Sequence, residues 1–365
     1  MIHIESIDVR LATEADKNIP GYDHTILSAV NTCPTWGLVR YGLHKIMPGA
    51  GRAMALEAGG ASHECFSAVR LYQFWKHDIE PNDTTMLAAV DFHGERLFGR
   101  RRFEQMKSVI NETSVERTNV VNFALEALYT STFYDSDQDK RRTVSNIAEA
   151  MIVYIDRFDM KRYPIWVRDR EDPKTDIGIE NTFDVVVTIK YKASSTDMPG
   201  QTRSHILIRR LHGSLDALVF NGVAVMVDEN KTGARLDDAW LAQWRLSHQI
   251  TGYCLAGHVI TGVECNKARV VGMRIPIGKV LFEGIRIEQV NRAPFQYTDW
   301  AIWFLHSVTM FEQYKDNVSK APRYTHSCNR YFRPCSLIAY CDQDEQERVR
   351  ILEEMEHDEW NPLKR

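Results

Sequence analysis

Three charged residues flanking one Asn-Gly dipeptide have the types and spacing to hold a metal ion. Residues 213–233 read GSLDALVFNGVAVMVDENKTG. Asn221-Gly222 lies between two β-rich runs, and Asn-Gly is the strongest short signal for a two-residue hairpin turn. Such a turn pairs Phe220 with Val223 and, counting outward, Asp216 with Val227. Side chains alternate along a strand, so Asp216 shares a face with Val225, Val227, Glu229 and Lys231. Asp216 and Glu229 are then diagonal neighbours, about 7–8 Å apart at the backbone. Asp228 and Asn230 turn to the other face. The count therefore selects Glu229 over Asp228, and a slip of one residue would reverse the choice.

The chemistry of such a set is hydrolysis of a phosphodiester. That reaction needs a hydroxide at neutral pH and relief of charge on the phosphate. Two carboxylates hold Mg2+ or Mn2+, both oxygen-loving cations. The ion polarises a phosphate oxygen and lowers the pKa of its bound water. Lys231 can orient that water or stabilise the developing negative charge. Charges at hairpin ends commonly just face solvent. Here the flank Val-Ala-Val-Met-Val predicts a buried central strand, where three charges on one face require a reason.

The elements that must position these residues follow from the pattern. An opening strand-like segment leads to a helix expected around 33–46. Residues 59–76 read as a helix that starts on small residues, Gly59, Gly60, Ala61 and Ser62. Helical periodicity recurs at 119–129 and 144–154. Strand-like runs follow at 183–191, 205–211, 215–220 and 223–227, with a polar loop at 194–201. Asp237 or Asp238 can cap a helix running to about residue 255. A strand at 267–276 and an apolar helix at 301–314 complete the order. The tail after Cys341 carries nine acids against four bases, so it should be a solvated helix or partly disordered. The order predicts an α/β domain, a mixed central sheet flanked by helices, with a helical insertion. The expected divisions within 1–345 are 1–77, the insertion 78–175, the catalytic sheet and following helix 176–285, and a C-terminal helix with cysteines 286–345. An acidic tail occupies 346–365.

Composition sets limits. Apolar residues make up 44% and charged residues 26% of 365, a globular profile. The start MIHIESIDVR carries an early acid and does not read as a secretory signal. No run approaches the roughly 18 apolar residues of a membrane span, so a cytoplasmic protein without membrane partners is expected. The net charge of -4 is not that of a strongly basic nucleic-acid binder. Local basic clusters at 100–102, 140–142, 157–162 and 209–210 remain available to line a DNA groove.

The run GSLDALV…VDENKTG resembles motifs II and III of the RecB-like branch of the PD-(D/E)XK nucleases. Gln249-Ile250-Thr251-Gly252-Tyr253 resembles the QxxxY motif of that branch, with Gln249 and Tyr253 on one helical face. Gly59-Gly60-Ala61-Ser62-His63-Glu64 resembles its motif I, which carries a histidine on a helix. The resemblance implies a restriction-endonuclease-like fold and a catalytic set of Asp216, Glu229, Lys231, Gln249 and Tyr253. It implies metal ligation by His63, Asp216, Glu229 and the Asn230 backbone carbonyl, with Glu180 as a further acid bordering the site. The implied activity is a Mg2+- or Mn2+-dependent deoxyribonuclease, an exonuclease or end-processing enzyme of recombination, repair, or phage or CRISPR-type DNA metabolism. Its partners would be DNA ends and a helicase or recombination protein.

Seven cysteines are not spaced as a secreted disulfide framework. Cys33, Cys328, Cys335 and Cys341 resemble the split set of the iron–sulfur members of this branch, the CRISPR-associated RecB-like exonucleases and AddB-type subunits. Four thiolates suit a [4Fe-4S] cluster, which would staple the two ends of the chain. A zinc site of His326, Cys328, Cys335 and Cys341, or unliganded thiols, are the alternatives. Cys65, Cys254 and Cys265 are expected to be packed small residues. Function has its own alternatives: a non-catalytic DNA-binding or adaptor protein on a nuclease fold, or a structural subunit built around its cluster.

Overall fold

The computed structural model describes the chain apart from residues 1, 49–53, 137–138, 195–201, 221, 276–283, 331–332 and 361–365. The N-terminal elements are β1 (Ile2–Leu11), β2 (Gly21–Tyr22), α1 (His24–Thr32), α2 (Pro34–Gly37) and β3 (Lys45–Ile46). Five helices follow: α3 (Met54–Gln73), α4 (Thr84–Phe98), α5 (Arg100–Ser108), α6 (Glu116–Tyr129) and α7 (Val144–Arg157). The strands β4 (Ile179–Ser194), β5 (Thr202–Phe220) and β6 (Val225–Gly233) precede α8 (Asp238–Gln243) and α9 (His248–Thr261). Then come β7 (Lys267–Arg274), β8 (Ile285–Asn291) and α10 (Pro294–Tyr314).

The protein is mixed α/β, with a mostly antiparallel central sheet flanked by helices. Its strands pair in the order β1-β4-β5-β6-β7-β8, with β2 beside β5. Contacts divide the chain into two units. One comprises 1–51, 182–213 and 294–365; the other comprises 52–181 and 214–293. In the first, β1 runs antiparallel to β4 and β2 parallel to β5. In the second, β5 is antiparallel to β6, β6 parallel to β7, and β7 antiparallel to β8. Among the described residues no helix is long and apolar enough to cross a membrane.

The segment expected as a helical insertion shares one hydrophobic core with the sheet of the second unit. Phe66, Phe103, Phe123 and Tyr154 pack together with Val219, Met226, Val271 and Met273. Removing a buried phenylalanine from such a core typically costs about 3–5 kcal/mol, so these helices are integral to that unit. α7 starts where Thr143 accepts the Asn146 N–H, satisfying one of the four donors left open at a helix start.

Several local expectations change. The helix expected from Cys33 is present from Pro34 and continues through Leu38–Gly42, with the extended Cys33 at its start; a separate helix, α1, capped by Asp23, precedes it. The runs at 205–211 and 215–220 are one 19-residue strand continuing through Gly213. The helix expected from Asp237 to 255 is two helices, because the turn Trp244–Leu246 intervenes and Ser247 caps a new start. The acidic tail is ordered in part: Asp344 caps a helix at Glu345–Glu354, and Glu356–His357 pairs with β3. Gly59 and Gly60 do not serve close packing, since a Cβ at either would meet nothing within 4 Å. The expected loop at 194–201 lies, beyond Ser194, outside the described residues, as does Asn221 of the hairpin turn.

Candidate functional site

Strand β6 is buried on both faces yet carries four consecutive polar residues, Asp228 to Lys231. Glu229 and Asn230 are each 1% exposed and Asp228 is 0% exposed. Leu218 pairs with Val227 and Ala217 with Asp228. The strand-to-strand register is thus two residues from that of a two-residue turn, with Phe220 opposite Val225. Side chains alternate with period two, so a shift of two keeps every face. Asp216 and Glu229 still share one face and Asp228 the other. The ladder ends at Ala217–Asp228. Just beyond it the Asn230 N–H donates to Asp216 Oδ2 at 2.7 Å. A carboxylate thus takes a donor that a continuing ladder would use, and the strands fork where the acids lie.

Helix α3 brings His63 to this fork, with Nδ1 3.0 Å from Asp216 Oδ1. Glu180 joins them. One ligand atom from each of His63, Glu180 and Asp216 lies within 4.8 Å of the other two. Glu180 has φ 47, the left-handed region that non-glycine residues rarely occupy and that recurs at functional positions. The turn behind it is tight: the Gly178 position leaves no room for a Cβ, which would meet the Leu218 carbonyl oxygen at 2.1 Å. Ser67 donates to Glu180 Oε1 at 2.8 Å and Ser214 to Oε2 at 3.4 Å. These contacts join residues more than thirty positions apart, so no local pattern reveals them. The local signal is slight: an acid at the mouth of a predicted strand.

Lys231 Nζ lies 2.6 Å from Glu229 Oε1, while Glu229 Oε2 is buried without a hydrogen-bond partner among the described residues. Burial, then the neighbouring Asp216 charge, pushes the Glu229 carboxyl up to about 7, against the pull of Lys231. Burial also works against Asp216, but His63, Lys231 and the Asn230 N–H hold its carboxyl below the ordinary value. Burial alone would lower the His63 imidazole; Asp216 and Glu180 carry it upward instead. The acids, one orphaned oxygen and an imidazole fit an oxygen-preferring divalent cation.

The opposite face of β6 is satisfied differently. Asp228 accepts two hydrogen bonds from Arg269, at 2.9 and 2.5 Å, and a third from Arg70. Arg70 stands seven residues after His63 on α3, so one helix serves both faces. Asp228 is therefore a structural acid, as the alternation predicts. Gln249 and Tyr253 both lie on α9, which packs against β6, and Gln249 Nε2 donates to Tyr253 Oη at 2.9 Å.

In the other unit, Cys33, Cys328, Cys335 and Cys341 line one cavity of about 290 Å³, together with Trp36 and Arg323. Burial raises the Cys335 and Cys341 thiols, Cys341 to about 11, and the neighbouring sulfurs add to the rise. A Leu337 N–H points at Cys335 Sγ, 3.5 Å away. His326 is not among the lining residues and stacks on Tyr324 instead. Zinc–sulfur bonds of about 2.3 Å bring tetrahedral thiolates within about 4 Å of one another. Among the described residues no three of these sulfurs come within 4.8 Å of each other. Cys65, Cys254 and Cys265 are buried, as expected for packed residues.

The Glu229 carboxyl generates a pH prediction for the metal-free protein. Its folded value near 7 lies above the ordinary 4.5. Its stabilising contribution is therefore complete below about 4.5 and is lost as pH rises through about 7. Relative to Glu229→Gln, the unfolding free energy of the wild type should fall across that window, on the order of 3 kcal/mol. Urea denaturation of both proteins at several pH values measures this; parallel curves would contradict it. No protein-family model and no curated protein matches this chain.

Proposed function

We propose that the protein is a Mg2+- or Mn2+-dependent deoxyribonuclease on a restriction-endonuclease-like fold of the RecB-like type, acting on DNA ends. The observation that carries this reading is the fork between β5 and β6. There Asp216, Glu229 and His63 sit beside Lys231, with one buried Glu229 oxygen unpaired among the described residues. His63, Asp216, Glu229 and the Asn230 carbonyl would hold the ion, with Glu180 as a further ligand. When bound, the ion supplies a polarised phosphate and a water acidic enough to attack. Lys231 orients that water or meets the charge developing on the phosphate. Gln249 and Tyr253 position the DNA backbone or the lysine. Glu229 must lose its proton to bind the cation, which Lys231 beside it favours.

Cys33, Cys328, Cys335 and Cys341 would hold a [4Fe-4S] cluster with a structural role, tying the segment around Cys33 to the C-terminal cysteines. The four-thiol cavity supports this over the zinc site with His326. The protein would act in recombination, repair, or phage or CRISPR-type DNA metabolism, with a helicase or recombination partner.

End-labelled linear DNA with Mn2+ tests the activity. Wild-type protein should degrade it, Glu229→Ala should abolish cleavage, and Lys231→Ala should slow it by about 10²–10³-fold. Full cleavage by either variant would refute the assignment. Anaerobically purified protein should be brown, and Cys335→Ser should bleach it; colourless wild-type protein carrying zinc would refute the cluster.

A further inference from the structure

Helix α7 reaches the strand that carries the metal centre through the Tyr154 hydroxyl. Tyr154, on α7, is fully buried. Its Oη donates to Asn230 Oδ1 at 3.1 Å. Asn230 is the residue whose N–H holds Asp216 Oδ2, and it lies between Glu229 and Lys231 in sequence. We propose that Tyr154 is a positioning residue that acts through Asn230 to hold the Asp216 and Glu229 carboxylates in register at the metal centre. The inference rests on the metal-centre reading above.

The geometry gives the reason. At the fork β6 has lost its ladder partner on the β5 side, so Asn230 is not tied to β5 backbone. Its N–H and its side chain are instead held from two directions, by Asp216 and by Tyr154. One position earlier, the side chain of Glu229 has Lys231 as a partner, but among the described residues nothing holds Oε2. Its placement depends on the backbone beneath it. Asp228, on the other side of Glu229, is clamped by Arg70 and Arg269. Both residues flanking Glu229 are therefore anchored from the face opposite the ligands. Tyr154 is itself fixed by ring contacts, stacking on Phe158 at 5.2 Å and lying 4.8 Å from Phe66. Phe66 in turn meets the His63 ring edge-on at 5.8 Å. The same aromatic cluster thus locates a ligand on α3 and the strand residue beside the other two. Groups that orient metal ligands from behind are worth about 10–100-fold in affinity.

Calorimetric titration of the full-length, metal-free chain with Mn2+ alone tests this. Tyr154→Phe keeps the ring and removes the hydroxyl. It should weaken Mn2+ binding about tenfold, while the metal-free protein still unfolds cooperatively within a few degrees of the wild type. Asn230→Ala should weaken binding as well, and the double variant should bind no worse than Asn230→Ala alone, because both lie on one path. Wild-type affinity in Tyr154→Phe, or losses that multiply in the double variant, would overturn the proposal and leave the metal centre standing. A wild-type protein that takes up no Mn2+ would overturn both.

Discussion

Two adjacent carboxylates on one buried strand are the constraint on which the second unit depends. Asp228 and Glu229 point to opposite faces of β6, each out of water. An isolated ionised carboxylate in such a place is very costly, so each face needs its own compensation. Below, two guanidinium groups surround Asp228, and burial is outweighed by Arg269 and Arg70, which keep its carboxyl below the ordinary value. Breaking a buried pair of this kind costs about 3–5 kcal/mol, because it strands the partner charge. Above, Lys231 faces Glu229 and Asp216, and the His63 imidazole faces Asp216 and Glu180. On one face of β6 Asp228 is therefore held by fixed guanidinium groups, while on the other burial and Asp216 push the Glu229 carboxyl up to about 7.

This asymmetry also explains how α3 works. Arg70 and His63 lie two turns apart on the same helix. One closes the structural face and the other enters the fork. The helices that follow α3 complete the core beneath the sheet and carry Tyr154 to Asn230. A segment that reads from sequence as an insertion is thus part of what positions the acids.

Much of the site was legible because period-two alternation tolerates error in steps of two. The sequence count placed Phe220 opposite Val223, whereas the strand pairs it with Val225. The parity survived, and with it the separation of Glu229 from Asp228. His63 was legible from its place on a helix after small residues, although Gly59 and Gly60 pack against nothing nearby. Glu180 was nearly illegible. Its role depends on a left-handed backbone and on serines from α3 and β5, neither of which leaves a local pattern. The partners of Asp228 were invisible for the same reason: Arg70 and Arg269 are 158 and 41 residues away. In the fold, strand existence was readable from Val, Ile and Thr content. Continuity through Gly213, and the break at Trp244–Leu246, were set by packing and capping that composition does not reveal. The convergence of Cys33 with the three C-terminal cysteines followed from resemblance to a family and not from spacing.

The central claim is that the fork between β5 and β6 binds a divalent cation. Anomalous diffraction from crystals soaked in Mn2+ tests it most directly. The account predicts one strong peak within bonding distance of carboxylate oxygens of Asp216 and Glu229 and of the His63 imidazole. A map with no peak at the fork, or with manganese bound only elsewhere, would contradict it.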